Sequence, residues 1–158
     1  MSDIIDQIII SEGGDRITND SLDSGGLTKF GISQRANPGV DIVNLTYEQA
    51  RVIYEKKYIS SIHFDRIGDR QLRDQLIDYG VNSGPSIAIM KLQEIVGVKV
   101  DGIVGPKTLA AVASLVSADI SRALVAKRIL MMGHIVHDKP SQVKYINGWL
   151  ARALDFLI

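Results

Sequence analysis

Prolines open short helical segments along this chain and glycines close them, and that punctuation restricts it to a mostly helical fold. Ile5, Ile8 and Ile9 recur at helical spacing through residues 3–12, and Gly13-Gly14 then stop the segment. Thr46-Tyr-Glu-Gln49 reads as a capping box that opens a helix to about Ile59. A further helical pattern runs from Asp69 to Asn82, and Pro85 to Gly97 is a proline-started, glycine-stopped helix. After a turn at Gly102 to Pro106, helical composition covers Lys107 to Leu115, Ala118 to His134 and Ser141 to Leu157. Six or seven helices result. Turn-forming Asp, Asn, Ser and Gly cluster between the first two, so the only β-structure expected is a short hairpin near residues 15–35. The fold class is mainly α, with a minor β element (α+β).

With 158 residues, 46% of them hydrophobic and 23% charged, the composition fits one globular domain or two small lobes and excludes a disordered or collagenous chain. The longest apolar runs are too short for a membrane span. The absence of cysteine removes disulfides, iron–sulfur clusters and thiol catalysis. Met-Ser-Asp-Ile-Ile-Asp places acids where an export signal needs lysine or arginine, so synthesis in a cytoplasm is expected. Eighteen basic and eighteen acidic residues cancel, which argues against a nucleic-acid partner. They are unevenly spread: residues 1–23 carry six acids against Arg16, and residues 120–158 carry six bases against two acids. No phosphate loop, dinucleotide fingerprint or serine-nucleophile motif occurs. His134 and His137 stand three apart without a convincing third ligand, so no metal is expected.

Glu12 continues the series begun by Ile5, Ile8 and Ile9, which puts a carboxylate at the end of a core-facing stripe and in the last turn of its helix. Burial and the partly negative helix end both favour the protonated acid there. Such a group suits proton donation to a glycosidic oxygen. The alternative is a side chain that turns to solvent at a frayed end. A second cluster, Asp23-Ser-Gly-Gly-Leu-Thr28, with Gly31-Ile-Ser-Gln34 behind it, reads either as turn chemistry or as a hairpin presenting Asp23 and Thr28 to a water.

Ser-Glu-Gly-Gly at 11–14 followed by Asp23-Ser-Gly-Gly-Leu-Thr-Lys-Phe-Gly-Ile-Ser-Gln34 resembles the signature of the phage and bacterial N-acetylmuramidases of glycoside hydrolase family 108. Asp78-Tyr-Gly-Val-Asn-Ser-Gly84 resembles that family's helix-end motif. Leu92-Gln93 with Gly97-Val-Lys-Val-Asp-Gly-Ile-Val-Gly-Pro-Lys-Thr-Leu109 resembles its peptidoglycan-binding half, and Gly148-Trp149 with Arg152 its C-terminal element. The likeness spans residues 4 to 155. Where family members often have an aromatic after the double glycine, this chain has Asp15.

The resemblance implies a lysozyme-like, two-lobed body: a muramidase lobe at 1–85 and a helical lobe at 86–158 packed against it. It also implies cleavage of the β-1,4 bond between N-acetylmuramic acid and N-acetylglucosamine. Glu12 is then the catalytic acid, with Asp23 and Thr28 as its matching partners and Asp20 as the rival to Asp23. Gln34, Asn82 and Asp101 are the substrate-binding candidates within the motifs, although a turn before a Pro106-started helix explains Asp101 by itself. Tyr54 joins them as a stacking face with Tyr58, unless the pair packs in the core. Trp149 reads as a core anchor rather than a sugar platform. Arg152 is placed to pair with the catalytic glutamate. The expected partner is a peptidoglycan glycan strand, reached with a holin or a virion particle, and no cofactor is implied. The rivals are a lytic transglycosylase and a non-catalytic wall-binding or phage structural protein.

Overall fold

The computed structural model describes residues 3–19 and 26–157. Among these, the helices are α1 (Ile4–Ser11), α2 (Tyr47–Tyr58), α3 (Arg70–Ser83), α4 (Pro85–Val96), α5 (Pro106–Ala113), α6 (Ser117–Asp138) and α7 (Ile146–Leu154). A two-stranded antiparallel hairpin, β1 (Thr28–Lys29) and β2 (Ile32–Ser33), lies between α1 and α2. The chain is therefore mainly α. No single helix among the described residues is long and apolar enough to cross a membrane.

Local chemistry accounts for most boundaries. Thr46 caps α2, accepting from the Gln49 N–H at 3.2 Å while the Gln49 side chain accepts from the Thr46 N–H at 3.0 Å. Asp69 caps α3 through the Leu72 N–H at 2.8 Å. Pro85 and Pro106 open α4 and α5, and Gly97 ends α4 at φ +72°. Two differences from the sequence reading occur late in the chain. Helix α6 runs on to Asp138 rather than stopping at His134. The expected last helix is split into a 3₁₀ stretch (Pro140–Tyr145), α7, and a 3₁₀ turn (Asp155–Leu157).

The chain divides into two compact units, Met1–Ser61 and Ile62–Ile158. In the first, Ile4, Ile5, Ile8 and Ile9 of α1 are buried together with Phe30, Ile32, Ile42, Leu45, Ala50 and Tyr54. A polar brace joins α1 to α2: Asp6 accepts from the Tyr47 hydroxyl at 2.5 Å and from Arg51, which also meets Asp3 at 2.9 Å. The Tyr47 hydrogen bond, with Arg51 behind it, holds the Asp6 carboxyl below its usual range, and Asp6 in turn pushes the Tyr47 phenol up.

In the second unit α3 packs along α4, and α4 and α7 pack against α6. Its core holds a buried ion pair. Asp78 on α3 accepts from Arg128 Nη1 on α6 and from Arg152 Nε on α7, each at 2.7 Å, and Arg128 is 1% exposed. Its guanidinium lies over the Tyr79 ring, 5.1 Å from the centroid.

Candidate active site

Helix α1 stops one residue earlier than its isoleucine stripe suggests, and Glu12 becomes the C-cap with φ −84° and ψ 11°. Three successive N–H groups then fold back on the helix end. Glu12 reaches the Ile8 carbonyl at 2.9 Å, Gly13 the Ile10 carbonyl at 3.2 Å and Gly14 the Ile9 carbonyl at 3.0 Å. Gly13 and Gly14 both have positive φ, +104° and +59°, so the double glycine makes this reversal possible. The cap takes Glu12 off the buried stripe, and the side chain is exposed. The sequence expectation of a core-facing carboxylate is thus corrected: i+7 spacing holds only while the helix continues.

Glu12 has a defined seat nonetheless. The hairpin closes through a two-residue turn, Phe30-Gly31, with φ +55° and +74°, the positive pair of a type I′ turn. Phe30 pays for its left-handed backbone with burial of its ring, which meets Tyr47 edge-on at 6.0 Å. The Phe30 N–H donates to the Gly14 carbonyl at 2.9 Å, and the Phe30 carbonyl accepts from the Tyr54 hydroxyl at 3.0 Å. The exit of α1, the hairpin turn and α2 are therefore fastened at one point. A Cβ placed on Gly31 would lie 2.7 Å from the Glu12 Cβ and 2.6 Å from the Tyr54 hydroxyl oxygen. Glycine at 31 is what lets the stem of Glu12 and the Tyr54 hydroxyl meet against the turn. A small cleft of about 50 Å³ opens beside it, lined in part by Gly31, Ser33, Asn37, Lys57 and Tyr58.

The other sequence candidates are placed as follows. Thr28 is half-buried on β1; it pairs across the hairpin with Ser33 and exchanges two 2.9 Å backbone hydrogen bonds with Thr18. Its hydroxyl donates to the Gly26 carbonyl at 3.1 Å. Asp23, and with it Asp20, lies outside the described residues. The Gln34 amide donates to the Val40 carbonyl at 2.9 Å and the Asn37 carbonyl at 3.2 Å, bracing the following loop. Tyr54 is buried, stacked on Tyr58 at 5.6 Å, so its ring is not an open sugar face; this corrects its assignment as a stacking surface.

Asn82 and Asp101 belong to the second unit. Asn82 is exposed at the end of α3. The Asp101 carboxylate accepts from the Gln93 amide at 2.8 Å and the Ile103 N–H at 3.1 Å, and both hold it below its usual range. Gln93 also accepts from the Asp101 and Gly102 N–H groups at 3.0 and 2.9 Å, which is the turn geometry that the motif suggests. Arg152 donates to Asp78, a partner that the sequence reading did not assign.

A larger groove of about 660 Å³, lined by residues including Val40, Leu45, Val52 and Ile53, contains none of the candidate residues. Chemistry, not size, marks the site at Glu12. The sequence places Gly31 in the second cluster and a hairpin near it, but it does not mark Phe30-Gly31 as the turn that seats Glu12.

Residues 5–84 match the family model described as glycosyl hydrolase 108, and residues 87–154 match the model described as a predicted peptidoglycan domain. The solved structure titled "Structure of Brucella abortus SagA" is similar over 97% of this chain and 92% of its own, at 26% identity and a TM-score of 0.72. No curated protein matches. The class thus defined is a glycoside hydrolase that acts on peptidoglycan. The chain belongs to the glycosyl hydrolase 108 family.

Proposed function

We propose that the protein cleaves the β-1,4 bond between N-acetylmuramic acid and N-acetylglucosamine, with Glu12 as general acid and water as nucleophile. The observation that carries this reading is the seat of Glu12, on a double-glycine helix cap and against the Gly31 turn. A rigid seat matters because proton transfer demands hydrogen-bond reach to the leaving oxygen.

In this reading a glycan strand packs over Glu12 and excludes water from the reacting bond. Glu12 gives its proton to the glycosidic oxygen as the bond to the anomeric carbon breaks. A water oxygen bonds to that carbon and releases its own proton to a base on the opposite sugar face. Asp23 is proposed as that base and Thr28 as its hydroxyl neighbour, on the family motif. Gln34 braces the loop behind the hairpin, and Asp101 supports the turn before α5. Residues 1–85 are proposed as the catalytic part and 86–158 as the part that holds the wall.

Mass spectrometry of a digest of purified peptidoglycan tests the bond and the nucleophile together. Reducing muramic acid ends are expected. Anhydromuramyl ends would assign the lytic transglycosylase reaction, and reducing glucosamine ends would move cleavage to the other linkage.

A further inference from the structure

We propose that the cleft bounded by α3, α4, α6 and α7 in the second unit binds one N-acetylated hexosamine of the glycan strand, against the Trp149 ring that Tyr145 stacks on. The proposal rests on the reading of peptidoglycan as substrate and adds where, and by which part of the polymer, the second unit holds it.

The cleft has a volume of about 190 Å³ and is lined by Asn82, Ser83, Ile87, Met131, Met132, Ile135 and Trp149. That is below the roughly 300 Å³ where drug-sized pockets begin, and it suits a single sugar ring. Trp149 is half-buried, not the core anchor its helix pattern suggests, and stacks on Tyr145 at 5.9 Å with 28° between the rings. Tyr145 is 47% exposed, and the Lys144 ammonium sits 4.8 Å from its centroid. A pyranose has one face of C–H bonds, which complements the negative face of an indole. The acetamido methyl fits the thioether wall of Met131 and Met132, whose unbranched chains adapt to small apolar groups. Asn82 can donate to and accept from the same acetamido group, as a sugar amide requires.

The cleft is also built on a fixed floor. Asp78, Arg128 and Arg152 each stand about one turn from a lining residue of their own helix: Asn82 on α3, Met131 and Met132 on α6, Trp149 on α7. The ion pairs therefore set these three walls in register before any ligand arrives, which lowers the ordering cost of binding. A stem peptide, with alternating amides and carboxylates, finds one side-chain amide here and a mostly apolar lining, so the sugar is the favoured occupant.

Trp149 is the only tryptophan in the chain, so its emission reports this cleft alone. The full chain carrying Glu12→Gln is titrated with a peptide-free tetrasaccharide of alternating N-acetylglucosamine and N-acetylmuramic acid, and separately with free stem peptide. A saturable change in emission with the tetrasaccharide is expected, and none with the peptide. Asn82→Ala should weaken the apparent Kd about fivefold, as loss of about one hydrogen bond predicts. Tyr145→Ala should weaken it as well, while Leu130→Ala, on an exposed part of α6, should leave it unchanged. No emission change with the tetrasaccharide, a change with peptide instead, or equal titrations for wild-type and Asn82→Ala cleft would each overturn the proposal. Failure of the wild type to hydrolyse peptidoglycan would count against the proposed reaction and not against this titration.

Discussion

The Tyr54 hydroxyl donates to the Phe30 carbonyl from a ring that is only 4% exposed, so the turn beneath Glu12 is held from the core side. Residue 31, next in the chain, is the point where three elements converge. The position of the proposed acid thus depends on a hydrogen bond that never touches substrate.

Gly31→Ala tests that dependence. The new methyl would meet the Glu12 Cβ and the Tyr54 hydroxyl inside 3 Å, at a backbone φ of +74°. Strain of about 1–3 kcal/mol is expected in urea unfolding. Displacement of the acid by even about 1 Å should lower peptidoglycan hydrolysis on the order of 100-fold. Activity within twofold of wild type would show that the turn does not position Glu12.

The buried pair of Asp78 and Arg128 should act as a structural device of the second unit. Asp78→Asn leaves Arg128 without its anion and should cost about 3–5 kcal/mol. The triple variant Asp78→Leu, Arg128→Met and Arg152→Met removes all three charges and should lose less than Asp78→Asn. Urea unfolding followed by circular dichroism measures both. Equal losses would mean that packing, not charge, sets the cost.

Acid should weaken the fold through Asp6. Its carboxyl sits below the ordinary value near 3.8, held there first by the Tyr47 hydroxyl and then by Arg51. A lowered carboxylate contributes stability that is present above its unfolded value and lost as pH falls through its folded one. The melting temperature should be nearly flat from roughly pH 5 to 8 and fall below about pH 4. Glu94, lowered by Lys127 and Lys91, contributes to the same limb. Tyr47→Phe removes the largest influence on Asp6, so the acid limb should become shallower. An unchanged limb in that variant would exclude Asp6 as a source.

Helix boundaries were legible where a single residue type decides them, as at Gly13-Gly14, the Thr46 capping box and Pro85. The early end of α1 was not, because stripe spacing extends past the last helical residue and says nothing about where the cap turns. The split of the final helix after Tyr145 and after Leu154 is hidden for a related reason: composition favours helix across the whole stretch. Phe30 in a left-handed turn has no local signal, since its strain is tolerated only through a buried ring and two long-range hydrogen bonds. Arg128 reaches Asp78 across 50 positions, a separation no periodicity encodes. Glu12 and the double glycine are legible in the sequence because helix cap and family motif coincide in four residues, whereas the cleft at Trp149 is formed by side chains from helices far apart in the chain.

Hydrolysis of purified peptidoglycan by the wild type and by Glu12→Gln, matched in circular dichroism and melting temperature, tests the proposed acid most directly. Loss of about 100-fold or more in rate, the scale of general acid catalysis, is expected for the variant. Equal rates from the two equally folded proteins would remove Glu12 from the reaction.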